Sequence, residues 1–218
     1  MSHPHSRGLT PVVVLALLVA GCGGGPRVVE TRDVAPFDRI EIADSLDVEV
    51  VPGAGTEVRV RAGRDVMDRV RTESSGGVLR LDIVDRGIVI GEDPLGDARI
   101  QVAAEAVRGV KIDGSGDVTL SGVDEGELEL EVRGASDVRA AGSVDHLSAS
   151  IQGAGDAELF DLTARTATIN IQGVGDAELN VSDSLDVTIQ GPADVAYRGN
   201  PAVRSEIQGP GDLRRASP

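Results

Sequence analysis

Apolar and polar residues alternate along the second half of the chain in six copies of one pattern. In each copy, mostly apolar positions two residues apart lead up to a glycine, and polar residues stand between them. The apolar position two residues before the glycine is the most regular: Ile112, Val132, Ile151, Ile171, Ile189 and Ile207. Alternation with a period of two predicts a β-strand with one buried face.

Each glycine opens a short box that ends in an aspartate, and the alternation resumes directly after it. The six boxes span residues 114–117, 134–137, 153–156, 173–176, 191–194 and 209–212. After the first box, for instance, Val118 and Leu120 flank the polar Thr119. A sharp corner between two strands demands backbone angles that a Cβ disfavours, which explains the glycines. Each repeat therefore predicts a strand, a glycine corner, a second strand and a second turn.

The boxes recur every 18 to 20 residues. A fixed period of this length indicates one unit stacked on itself, with equivalent strands about 4.8 Å apart. The sequence therefore predicts an all-β protein, a parallel β-helix or β-solenoid of about six regular coils. We place this domain at residues 37–215, with regular repeats over 111–215 and irregular N-terminal coils over 37–110.

The irregular region carries no obvious box but remains strand-like. Alternation predicts strands near residues 37–42, 46–50, 58–60, 78–83 and 98–102. A short helix is predicted over 65–72, and residues 86–96 are interpreted as a loop. Irregular first coils that cap the solenoid explain this region, because terminal repeats must cover the end of the core. A separate small β domain is the alternative.

The N-terminus is typical of an exported lipoprotein. Arg7 precedes an apolar run over residues 9–20, and Val19-Ala20-Gly21 leads into Cys22, the only cysteine. We predict a signal peptide over residues 1–21, lipidation of Cys22 and a flexible tether over 22–36. An uncleaved transmembrane helix is the alternative, but a dozen apolar residues do not span about 30 Å of hydrocarbon. The predicted location is the cell envelope, at the outer membrane if the cell is Gram-negative.

Charge and composition exclude several classes of function. The chain has 36 acidic and 21 basic residues, a net charge of −15, which argues against binding to nucleic acid. A single cysteine supports no disulfide framework. Two phenylalanines, one tyrosine and no tryptophan leave few of the aromatic anchors that dominate protein-binding hot spots.

The boxes and the end of the chain resemble the auto-transporter adhesin head family, also called the GIN domain. A closing Tyr197-Arg198-Gly199-Asn200-Pro201 followed by one last box is similar to the ending of that family. The resemblance covers roughly residues 37–213. It implies a right-handed parallel β-helix, a lipoprotein signal in many members and an adhesin-like role. The chain departs from the usual serine within the box at Ala154, Val174, Pro192 and Pro210.

Two polar columns are the candidate sites. The closing aspartates would stack at strand spacing, where calcium could relieve their repulsion: Asp117, Asp137, Asp156, Asp176, Asp194 and Asp212. The alternative is that each aspartate binds the backbone amides of its own turn. Four glutamines form a second column, which predicts an amide ladder and a flat polar surface: Gln152, Gln172, Gln190 and Gln208.

Catalytic signatures are scarce, and no cofactor is predicted. His146 is the only histidine after the predicted signal peptide, and we interpret it as an exposed loop residue. No serine or cysteine stands in a nucleophile motif. The sequence therefore predicts a non-enzymatic, adhesin-like or scaffolding protein with a lipid anchor and an envelope-protein or glycan partner. A calcium-dependent binding module and a polysaccharide-active enzyme are the alternatives.

Overall fold

The computed structural model describes residues 27–53, 55–84 and 98–216, which form fifteen β-strands and one short helix. The N-terminal elements are β1 Arg27–Asp33, β2 Arg39–Asp44, β3 Asp47–Pro52, β4 Glu57–Gly63, α1 Arg64–Met67, β5 Val70–Ser75, β6 Val78–Ile83 and β7 Arg99–Ala104. The remaining strands are β8 Gly109–Gly114, β9 Val118–Gly134, β10 Val138–Ala154, β11 Ala157–Val174, β12 Ala177–Gln190, β13 Val195–Arg198, β14 Ala202–Gln208 and β15 Leu213–Arg215.

The regular repeats form a parallel β-solenoid, as the period predicts, with about five turns where about six regular coils were expected. Strands β9 to β12 each run from one glycine box to the next, and each pairs in parallel with the strand one coil later. Ile171, for example, lies opposite Ile151 in one neighbouring coil and Ile189 in the other. At the predicted second turn, strands β9 to β12 continue without a break, but their pairing is irregular there. The chain bends there through glycines such as Gly142, where the register shifts.

The alternating apolar residues fill the inside of the solenoid. Ile169, Ile171 and Leu185 are buried, whereas Gln172, which directly follows Ile171, is exposed. These residues belong to one continuous core cluster that extends from Phe37 to Val195. The prediction of inward and outward faces is therefore confirmed for β9 to β12, whereas in the last coil the predicted inward residues Val203 and Ile207 are exposed.

The close stacking of the boxes is a second reason, besides the sharp corner, why glycine occupies these positions. Gly173 has φ = 144°, a conformation that disfavours any side chain. A Cβ at this position would also lie 2.0 Å from the carbonyl oxygen of Gly153 in the preceding coil. The second glycine of the box is equally crowded, since a Cβ on Gly155 would lie 2.1 Å from the oxygen of Ser136. Both glycines thus allow one coil to sit closely on the next.

Ser136 occupies a second-glycine position and carries a structural cost. Its side chain is 1% exposed, and Oγ has no hydrogen-bond partner. A buried hydroxyl without a partner destabilises the folded state by about 1–3 kcal/mol. The equivalent residue three coils later, Ala193, is buried without any such group.

Ser136→Ala should therefore raise the free energy of unfolding by about 1 kcal/mol, because it removes the hydroxyl and keeps the Cβ. Urea unfolding followed by circular dichroism measures the change. Ser143→Ala, at an exposed position of β10, is the control and should leave stability unchanged within about 0.5 kcal/mol. A loss of stability in Ser136→Ala would mean that the hydroxyl has a partner after all.

A seventh, altered box lies in the N-terminal region, where the sequence pattern suggested none. Asp44 pairs with Gly114 and has φ = 72°, so an aspartate occupies the first-glycine position. Leu46 replaces the second glycine and is fully buried, and Asp47 closes the box. Strands β2 and β3 on either side form a true coil. The interpretation of residues 37–110 as lacking the box is thus wrong at this coil.

The coils of the N-terminal region do not stack in chain order. Strand β2 lies between β6 and β8, and β3 lies between β7 and β9, all in parallel pairs. Strands β6 and β7 therefore form a coil outside β2 and β3, although they come later in the chain. The predicted loop over residues 86–96, which lies between these two strands in sequence, falls outside the described residues.

Antiparallel strands close the N-terminal end of the solenoid. Strand β1 pairs with β4 and β4 with β7, while β5 pairs with β6. The prediction of a flexible tether is therefore wrong for residues 27–33, which form β1. Arg32 fixes this strand by donating to the carbonyl oxygens of Met67 and Val70. The predicted helix is shorter than expected, because Val70 already begins β5.

Candidate functional site

The closing aspartates, from Asp47 to Asp212, form a ladder along one corner of the solenoid that is bonded at every step except the one from Asp137 to Asp117. In five of the steps, one carboxylate Oδ1 accepts a hydrogen bond from the backbone N–H of the aspartate in the next coil. The donor–acceptor distances are 3.2 Å for Asp117 to Asp47, 3.0 Å for Asp156 to Asp137, 2.8 Å for Asp176 to Asp156, 3.2 Å for Asp194 to Asp176 and 2.9 Å for Asp212 to Asp194. The expectation that each aspartate binds its own turn is wrong, because the recipient amide belongs to the neighbouring coil.

This ladder stabilises the stack rather than gathering charge at one point. Each coil contributes one carboxylate, and the adjoining backbone is bonded as well, for instance from Val138 N to Asp156 O at 2.8 Å. Within the described ranges, no three acidic, histidine or cysteine side chains come close enough together to hold a metal ion. Hydrogen bonding to the backbone thus gives the aspartate column a structural role in the stack.

The glutamine column is aligned as the repeat predicts, but its amides do not form a ladder. Gln152, Gln172, Gln190 and Gln208 occupy successive register positions, preceded by Arg133 in the coil before. Gln208 Nε2 donates to Glu206 at 2.8 Å. Among residues 98–216, no hydrogen bond joins one of these glutamine side chains to another. The column is an exposed polar stripe.

Two further predicted features have simple outcomes. His146 is exposed, and its Nδ1 lies 2.7 Å from Thr166 Oγ1, although the residue is in β10 and not in a loop. Cys22 and the predicted signal peptide lie outside the described residues. In the part of the chain that is described, no helix has both the length and the apolar character needed to cross a membrane.

A groove of about 670 Å³ crosses the outer face of the sheet near the N-terminal end. We call it the arginine groove, because five arginines line it: Arg27, Arg59, Arg61, Arg99 and Arg139. Acidic residues lie along its other side, among them Asp47, Glu49 and Asp117. The groove brings together strands β1, β4, β7, β3, β9 and β10, so its residues come from distant parts of the sequence.

The arginines of the groove differ in what they contact. Arg59 forms an ion pair with Glu57. Arg139 makes two hydrogen bonds to Glu158, at 2.9 and 2.6 Å, and this contact raises the pKa of Arg139 above its ordinary value. Glu49 on the acidic side accepts a hydrogen bond from Gln101. The charges of Arg59 and Arg139 are therefore already balanced within the protein, whereas Glu49 is bound only by a neutral amide.

Arg61 and Arg99 are not balanced in this way. They lie directly opposite each other on β4 and β7, and both are exposed. Over the described ranges, neither side chain has an ion pair or a hydrogen bond. Like charges facing each other across a sheet destabilise it. An anion between the two guanidinium groups would remove that repulsion and receive several N–H donors.

Sequence reasoning missed the arginine groove because it depends on long-range strand pairing. Arg59 and Arg61 stand on the polar face of a predicted strand, where charged residues normally face water. Arg99 begins another strand far along the chain. Only the antiparallel register of β4 and β7 brings Arg61 and Arg99 together, and no local pattern encodes that register.

Comparisons with known proteins agree with this architecture. Residues 36–201 match the family model described as "Putative auto-transporter adhesin, head GIN domain". No curated protein sequence matches the chain.

Solved structures from Bacteroides and Parabacteroides species share the fold. A "putative adhesin" from Bacteroides fragilis aligns with a TM-score of 0.75 at 19% identity, over 87% of this chain and 97% of the other. A "putative lipid binding protein" from Parabacteroides distasonis gives 0.55 at 19% identity, over 88% and 97%. A "putative adhesin" from Parabacteroides merdae gives 0.52 at 15% identity, over 89% and 98%. With three quarters of its length matched by the family model, and the boxes stacked into a solenoid, the chain belongs to the GIN domain family of auto-transporter adhesin heads.

Proposed function

We propose that this protein is a lipid-anchored, non-catalytic adhesin of the cell envelope that holds an anionic polysaccharide in the arginine groove. Membership of an adhesin family supports a role at the cell surface. The single observation that carries the ligand class is the facing pair Arg61 and Arg99, neither of which forms an ion pair among the described residues, although Asp47 lies opposite Arg99 on β3.

Because the rest of the molecule is acidic, a polyanion is expected to bind at this arginine pair and not elsewhere on the surface. With a net charge of −15, most of the surface repels a polyanion. A concentration of guanidinium groups in one groove gives such a polymer one favourable place to bind. The acidic residues of the groove repel a negatively charged polymer and so restrict the direction in which it can lie. Arginine suits this task, because its planar fork binds carboxylate and sulfate groups with two hydrogen bonds.

The predicted anchor places the groove close to the membrane. Arg27 lines the groove and stands five residues after Cys22, a span of at most about 18 Å when fully extended. The ligand would therefore be a polymer of the protein's own cell surface or one that reaches it closely. Mass spectrometry of the protein extracted from membranes tests the anchor: an unmodified Cys22 preceded by an intact residue 21 would contradict it.

Binding to dextran sulfate, with uncharged dextran as the matched polymer, tests the groove. We expect the full-length protein in detergent to bind dextran sulfate and not dextran, with an affinity that falls as salt rises. The double variant Arg61→Ala, Arg99→Ala should bind at least about tenfold more weakly, because each lost charge-assisted hydrogen bond contributes about 1 kcal/mol or more.

Arg214→Ala is the control variant, since Arg214 is also an exposed arginine on the same sheet but lies at its other end. It should bind dextran sulfate as the unchanged protein does. Equal weakening in Arg214→Ala and in the double variant would mean that charge in general, and not the groove, controls binding. Unchanged binding in the double variant would exclude the groove as the site.

A further inference from the structure

The C-terminal end of the solenoid is an open sheet edge. Strand β14 pairs in parallel with β12 on one side. Within residues 98–216, no strand pairs with its other side, and all seven of its residues are exposed. Such an edge presents a row of backbone N–H and C=O groups that can pair with another strand.

The core columns of the solenoid continue onto this edge without cover. Val203 and Ile207 are the register partners of Leu185 and Ile189, which are buried. On β14 the same columns are 41% and 38% exposed. The N-terminal end differs, because antiparallel strands close it. A solenoid needs a cover at both ends of its core, and here one end still lacks it among the described residues.

Two copies of β14 can pair in the antiparallel direction with complementary residues opposite each other. In an antiparallel pair centred on Ser205, Arg204 of one copy would lie opposite Glu206 of the other, and Val203 would lie opposite Ile207. Both contacts would occur twice, once on each side of the centre. Edge charges usually prevent pairing by repulsion, but in this order they attract. Arg204 is available for the contact, since its side chain is 89% exposed and only approaches Asp186, at 3.9 Å.

We propose that β14 is the docking surface for a second copy of this chain. Two solenoids would join end to end through an antiparallel β14 pair with two-fold symmetry. The two sheets then continue into each other, and the exposed valine and isoleucine are covered by their counterparts. A symmetric contact of this kind is self-complementary by construction, which is what the order of residues in β14 provides. The inference is independent of the arginine groove at the other end of the molecule.

A disulfide across the proposed centre tests the register. In the full-length chain carrying Cys22→Ser, the substitution Ser205→Cys places the only thiols of the dimer directly opposite each other, within the distance a disulfide needs. Mild oxidation should give a covalent dimer on a non-reducing gel. Gln208→Cys is the control on the same strand, since the two residues 208 would be about 20 Å apart in this register. We expect at least about tenfold less dimer from it.

Charge exchange tests the specificity of the pair. Added to the Ser205→Cys chain, Arg204→Glu should reduce the covalent dimer about tenfold, because it replaces two attractive contacts with two repulsive ones. Glu206→Arg should do the same. A mixture of these two variants should recover the dimer as a heterodimer, and the double exchange Arg204→Glu, Glu206→Arg should recover the homodimer.

Two results would overturn the proposal. Equal dimer yields from Ser205→Cys and Gln208→Cys would show random collision and not a defined strand pair. A dimer that persists in Arg204→Glu, or that fails to return in the mixture, would show that Arg204 and Glu206 do not face each other. In either case the unpaired edge of β14 would pair with a different strand or stay in contact with water.

Discussion

Replacing Gly173 with alanine should lower the free energy of unfolding by about 3 kcal/mol or more. The glycine has φ = 144°, and holding another residue in such a backbone conformation costs about 1–3 kcal/mol. The added Cβ would also lie 2.0 Å from the carbonyl oxygen of Gly153, so the two coils would have to move apart. Because the three nearest atoms all belong to the backbone of Gly153, no side-chain rotation can relieve the contact. Urea unfolding measures the loss.

The matched control is Gly126→Ala. Gly126 lies in β9, has an ordinary φ and has no atom within 4 Å of the position that a Cβ would take. Its replacement should change stability by no more than about 0.5 kcal/mol, in either direction. If both variants lose the same stability, close stacking on Gly153 does not explain the effect at position 173, because the lower entropy of the unfolded chain would by itself stabilise both variants.

Ile171→Asp should prevent folding altogether at ordinary temperatures. The isoleucine is 1% exposed, and its column is apolar on both sides, at Ile151 and Ile189. An aspartate there must either remain charged without a partner or take up a proton, and each costs several kcal/mol. That penalty is a large part of the net stability of a single domain, about 5–15 kcal/mol. Circular dichroism and proteolysis of the purified variant measure the result.

Gln172→Asp, one residue away, provides the comparison. Gln172 is exposed and faces outwards between Gln152 and Gln190. We expect a loss below about 1 kcal/mol, since the new charge stays in water. Equal damage at positions 171 and 172 would contradict the assignment of inner and outer faces throughout the repeats.

The regular coils could be predicted from the sequence because the residues that determine each strand and corner are close together in the chain. A strand with a period of two has only one apolar face, and the 18- to 20-residue spacing leaves one way to stack such faces. Ile171 and Gln172 were therefore assigned to the correct sides. The role of the aspartates was harder to predict from the sequence. Their side chains contact an amide one coil away, as between Asp156 and Asp176, and a turn signature in the sequence does not specify which coil supplies that amide.

The N-terminal region could be predicted only in part, for a physical reason. Strands β2, β3, β4, β6 and β7 follow from alternation, but their order in the sheet depends on contacts between distant segments. The altered box escaped notice because Asp44 and Leu46 replace both glycines. Aspartate tolerates positive φ better than most residues, which permits that exchange. The arginine groove follows from the same pairings and was equally hidden.

The position of β2 between two later strands has a consequence for how the chain folds as it emerges. Neither neighbour of β2 exists until β6 and β8 have been made, so the first coil has no partner while it is the leading part of the chain. The coils after it differ, since each one docks on a coil already complete. We expect two stages: residues 27–104 assemble together as a slow nucleus, and each further stretch of about 19 residues then adds quickly.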